Sequence, residues 1–127
     1  MSADGATSGA PSGAQADLQL GAWLDGELGE VDHDLADRIR RSLATGWEQM
    51  SLASGPRMLC DAALAELRPL LEHGCEARAA ATPLLTVDAL VTLACEALAQ
   101  SGGDIEAGAD AMLAELGATL PQPDDAA

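Results

Sequence analysis

Lysine, asparagine, phenylalanine and tyrosine are missing from this chain, and isoleucine occurs only twice. All 6 basic residues are arginine, set against 21 Asp and Glu, so the formal net charge is −15 over 127 residues. A surface of that sign repels phosphate backbones and anionic lipid, which argues against direct nucleic-acid binding and against a membrane-surface role. The missing residues share AT-rich codons, a pattern that fits a GC-rich genome. Acidity without lysine also suits a salt-adapted cytoplasm, where self-repulsion is screened. A protein partner with a basic surface is the other reading of the same charge.

Cysteine is sparse and odd in number: Cys60, Cys75 and Cys95, with no CxxC pair. A disulfide framework needs an even, denser set in a secreted chain. All three lie in apolar helical stretches, so buried reduced thiols and a cytoplasmic location are expected. There is no unbroken apolar run of about 18 residues, so no membrane span is expected. The segment from Met1 to Ala16 has neither a basic end nor an apolar stretch, so it does not read as a secretory signal. No Gly-rich phosphate loop, GxSxG elbow or HExxH pair occurs, and no enzyme activity or cofactor is expected.

What is present is alanine and leucine. The chain holds 27 Ala, and its 31 larger apolar residues include 20 Leu. The length suits one domain with one core, expected over residues 17–120 between tails at 1–16 and 121–127. Residues 1–16 carry no large apolar side chain after Met1, so burial cannot offset their ordering entropy and a flexible tail is expected. Pro121 to Ala127, with two prolines and two aspartates, should fray in the same way.

Between the tails the apolar period is helical. A first helix capped by Asp17 carries Leu18, Leu20, Trp23, Leu24 and Leu28. A second is expected from about Asp32 to Met50, because Leu35, Ile39, Leu43, Trp47 and Met50 form a continuous stripe. Its early acids and later arginines agree with the helix dipole. A third restarts at Pro56 with Leu59, Ala63, Leu67, Leu70 and Leu71 on one face, and should stop near Gly74 with a kink or an earlier end at Pro69. A fourth, capped by Thr86, carries Val87, Leu90, Val91, Ala94 and Leu98 up to Gly102-Gly103. Asp104 caps a fifth with Ile105, Ala109, Met112, Leu113 and Leu116 as its buried face and Gly117 as its end. The fold class is all-α, a small bundle of about five helices.

Chemistry-bearing clusters are thin. The acids Asp25, Glu27, Glu30, Asp32, Asp34 and Asp37 fail the calcium-loop register, since Gly29 and Glu30 fall where an oxygen ligand and a glycine belong. They read as a solvated connector with helix-start acids. His33 sits between Asp32 and Asp34 in the same cluster. His73, close to Cys75, stands near a helix end where an imidazolium can meet the last carbonyls. No ligand pair has metal-site spacing, and nothing places a thiol in an electropositive setting. Trp23 and Trp47 are the only aromatic residues. Both read as core, and an exposed Trp would serve as an interface anchor. Trp23, Leu24, Leu28, Trp47 and Leu93 are the candidate interface residues.

Two short stretches resemble known families. Leu20-Gly-Ala-Trp-Leu-Asp-Gly-Glu-Leu28 is similar to the opening helix of zinc-binding anti-sigma domains. The resemblance implies a regulator with residues 18–50 as its contact element. The family's zinc ligands would fall near Ile39, Leu43 and Gly46 here, so all of them are absent. Ser101-Gly-Gly-Asp-Ile-Glu-Ala107, with Met112-Leu113, resembles the last turn and helix of ubiquitin-associated-type domains and an element of elongation factor Ts. It lacks their hydrophobic-Gly-aromatic partner-binding loop, so it implies local geometry only.

The leading expectation is a small acidic helical protein–protein interaction module without chemistry of its own. A zinc-free anti-sigma-like regulator and a helical small-ligand or thiol-dependent protein are the alternatives. Leu90, Leu93 and Leu98 point to nearly opposite sides of one helix, which also raises a homodimer.

Overall fold

The computed structural model describes residues 18–73, 78–102 and 104–119. Asp17, Cys75 and the segments 1–16 and 121–127 lie outside them. Five α-helices run in chain order: α1 (Leu20–Glu27), α2 (His33–Arg41), α3 (Gly55–His73), α4 (Ala81–Gln100) and α5 (Ile105–Thr119). Single 3-10 turns at Trp47–Gln49, Leu52–Ser54 and Arg78–Ala80 join them. No strand forms among the described residues, and extended pairing is limited to the antiparallel bridge between Gln19 and Ser51. There Leu20 N–H donates to Met50 O at 2.7 Å and Leu52 N–H donates to Leu18 O at 2.7 Å, so the entry to α1 is tied to the connector ahead of α3.

Helices α3 and α4 form the central hairpin. Leu59, Cys60, Ala62 and Ala63 of α3 are buried, as are Leu90, Leu93, Ala94 and Ala97 of α4. Alanines recurring between the leucines let the two backbones approach closely. Across one side lie α1 and α2, contributing Leu20, Trp23, Leu24, Leu28, Ala36 and Ile39 to the same core.

The second helix is shorter than its apolar stripe implies. It ends at Arg41 with Ser42 as its C-cap, and Gly46 then takes φ 85°, a left-handed turn that a continuing helix cannot contain. Leu43 and Trp47 are nevertheless buried, at 8% and 6% exposure, because the turn folds back onto the same core. Met50 leaves the stripe and is exposed. The start of α2 follows the sequence reading: Asp32 Oδ2 accepts from Asp34 N–H at 3.1 Å and from Leu35 N–H at 3.4 Å, and Arg38, Arg40 and Arg41 occupy the last turn.

Helix α3 passes through Pro69 without stopping and ends at His73, whose Nδ1 lies 2.9 Å from Pro69 O. Leu71, expected on the buried face, is exposed. Helix α4 begins earlier than Thr86. Pro83 falls within its first turn, where N–H groups have no intrahelical partner to lose, and the Thr86 hydroxyl donates back to Thr82 O at 2.9 Å.

The fifth helix departs most from expectation. Asp104 does cap it, with Oδ1 accepting from Ala107 N–H at 3.1 Å. Yet none of its residues is buried, Ile105 and Leu113 are 55% and 64% exposed, and the helix runs past Gly117 to Thr119. It comes close to α4 at Gly108, where an added Cβ would overlap Leu98 Cδ1. Met112 alone on this helix packs against the core.

Candidate functional site

The five candidate interface residues all belong to the interior. Trp23, Leu24, Leu28, Trp47 and Leu93 are between 0% and 8% exposed and fall in one cluster, so none projects outward as an anchor. Leu90, Leu93 and Leu98 are likewise buried within one chain, because α4 is covered on several sides.

Leu28 and Leu93 still border a surface feature. An open groove of about 400 Å³ runs between the α1–α2 corner and α4. Its floor is Leu28, Val31, Leu35 and Ile39 on one wall, with Ala89 and Leu93 on the other. Leu28 follows the end of α1, Val31 lies in the connector and Leu35 in α2, while Ala89 and Leu93 lie one turn apart on α4. Val31, Leu35 and Ala89 are only half-buried, so the walls of the groove are accessible apolar surface.

The rim is acidic. Glu27, Asp88 and Glu96 line the groove and are exposed. Asp88, Thr92 and Glu96 follow one another at four-residue intervals on α4, so both carboxylates edge the same face, about 12 Å apart along the axis. Four of the six arginines are engaged elsewhere: Arg38 with Glu66 at 3.4 Å, Arg40 with Asp25 at 3.2 Å, Arg41 with Asp37 at 3.5 Å, and Arg57 with Glu115 at 3.4 Å. Among the described residues no arginine pairs with Glu27, Asp88 or Glu96. Glu96 is oriented by a neighbour, since Gln100 Nε2 donates to its Oε1 at 3.2 Å. Gln100 Oε1 in turn accepts the Trp23 indole N–H at 2.9 Å.

A larger hollow of about 640 Å³ lies between the α2–α3 connector and α3. Its walls combine four alanines with Met50 and Met58, and its charged pair, Arg57 and Asp61, faces itself at 3.9 Å. It offers apolar area without a directed field.

Among the described residues the thiols Cys60 and Cys95 do not assemble a nucleophile. Cys60 is 1% exposed, and burial, then the carboxylates of Glu115 and Asp61, push its thiol above the ordinary value of 9.0. A protonated thiol is a poor nucleophile. Cys95 is exposed rather than buried, contrary to the sequence reading. No group of three or more His, Cys, Asp or Glu capable of holding a metal occurs among the described residues.

The stretch Arg78–Gln100 is long and apolar enough to cross a membrane by length and composition, with a mean hydropathy of 1.5 over an 18-residue window.

The groove was absent from the sequence reading, although Asp88 and Glu96 at helical spacing beside Ala89 and Leu93 were its available signal. Comparison with protein-family models, curated proteins and solved structures finds no match. The two short resemblances therefore gain no support from any of them.

Proposed function

We propose that this protein is an acidic helical protein–protein interaction module that recognises a partner with a basic surface. The observation that carries the reading is the apolar groove rimmed by Glu27, Asp88 and Glu96, none of them paired with an arginine among the described residues. Unneutralised carboxylates beside accessible apolar walls attract cationic surfaces at long range and give them area to bury at contact. The net charge of −15 extends that attraction over the whole molecule.

The same residues speak against α4 as a lipid-spanning helix. Asp88 and Glu96 both fall within the apolar stretch, and a carboxylate near a bilayer centre costs on the order of 2.5–3.5 kcal/mol by insertion scales. We read the groove as facing water and the protein as acting in the cytoplasm by contact rather than by catalysis.

Affinity capture from the native host tests this, with wild type and the double variant Asp88→Arg, Glu96→Arg as parallel baits. Both substituted positions are exposed, so the fold is expected to survive. Wild type should retain proteins with basic surfaces in a salt-sensitive manner. Retention of none, or of acidic proteins only, contradicts the reading.

A further inference from the structure

We infer that the groove between α2 and α4 holds an amphipathic basic helix: a partner segment with apolar residues on one face bracketed by arginine or lysine. The inference rests on the interaction reading and names the partner's chemistry. Three features select this occupant. One wall is helix α4 and the other is the α1–α2 corner with α2, with no open sheet edge among the described residues to which a strand could add, so a helix laid into the groove is the matching mode. Leu28, Val31 and Leu35 line one side and Ala89 and Leu93 the other, which gives the apolar face of an incoming helix surface to bury against. Asp88 and Glu96 stand about two helical turns apart, so they meet cations about eight residues apart on the incoming helix.

Other occupants fit less well. Residues 1–16 contain no arginine and no large apolar residue after Met1, and residues 121–127 contain two aspartates, so neither end of this chain supplies such a segment. A second copy brings a further −15, and its basic run on α2 (Arg38, Arg40, Arg41) is already ion-paired.

The probe is a labelled synthetic peptide of about 16 residues, with arginines about eight positions apart and leucines between them on one helical face. A scrambled peptide of the same composition serves as control, and binding to the full chain is read by fluorescence anisotropy. The patterned peptide should bind more tightly than the scrambled one. Its affinity should fall by about tenfold or more in the Asp88→Arg, Glu96→Arg variant, given the loss of two ionic contacts and the added repulsion. Circular dichroism of the variant confirms that the fold is retained. Equal binding of both peptides, or binding unchanged by the charge reversal, overturns the groove assignment and leaves the interaction reading standing if host capture still succeeds. Absence of binding by either peptide also overturns it. Self-association in sedimentation that the charge reversal abolishes assigns the groove to a second copy and overturns it as well.

Discussion

The indole N–H of Trp23 donates to Gln100 Oε1 at 2.9 Å across 77 residues of sequence, joining α1 to the last turn of α4. Gln100 passes the link on through its amide nitrogen to Glu96 on the groove rim. A core aromatic and a surface carboxylate are thus held by one side chain. Replacing Gln100 by leucine leaves the indole donor without its acceptor and should cost about 1–3 kcal/mol in urea unfolding. The same change frees Glu96 and should weaken binding of a basic peptide modestly, without abolishing it. Unchanged stability would show that the hydrogen bond carries no weight.

Glycines in the helices should respond with opposite signs. At Gly21 an added Cβ would meet Glu48 Cβ and backbone O at 3.0 Å, and backbone cannot give way cheaply. At Gly26 and Gly117 nothing lies within 4 Å of the added atom. Gly117→Ala and Gly26→Ala should each stabilise by up to about 1 kcal/mol through helix propensity. Gly21→Ala should destabilise despite the same gain. Chemical denaturation of the three variants checks the order.

Cys60 makes stability depend on alkaline pH. Burial first, and the carboxylates of Glu115 and Asp61 next, raise its folded pKa above the ordinary value of 9.0. The neutral thiol is therefore favoured in the folded state. Its contribution is complete below the unfolded value and is lost as pH rises through the folded one. Melting temperatures measured from neutral to strongly alkaline pH should fall more steeply for wild type than for Cys60→Ala above about pH 9. Parallel curves would contradict the assignment.

Helix α5 depends on its cap more than on its packing. It has no buried residue, and Asp104 Oδ1 satisfies one of its first N–H groups at 3.1 Å. Asp104→Ala should remove about 1 kcal/mol of local stability. Amide exchange should then accelerate across α5 while the amides of α3 and α4 keep their protection. Uniform acceleration throughout the molecule would show α5 to be part of one cooperative unit with the core.

Helix identity was legible in the sequence because leucine and alanine repeat at helical spacing and because Asp32 and Asp104 are strong caps. The extent of α2 was not. A stripe from Leu35 to Met50 has the same period whether the helix continues or a turn at Gly46 folds Trp47 back onto the same core. Depth of burial was also hidden: α5 has an apolar face by pattern, yet α3 and α4 already cover one another and leave it little to bury. The groove escaped because it arises between Leu28, Val31 and Leu35 on one segment and Asp88, Ala89 and Glu96 on another, a pairing that no local pattern encodes. Trp23 and Trp47 read as core from their place among the leucines, and the structure buries both, which leaves the interface role also given to them without an exposed ring.

The footprint of a patterned basic peptide on the backbone amides of the full chain, followed by nuclear magnetic resonance, tests the account most directly. Shifts concentrated at Leu28, Val31, Leu35, Asp88, Ala89 and Glu96 are expected. A footprint on α5 or on the hollow beside Met50 and Met58, with those amides unmoved, would contradict it.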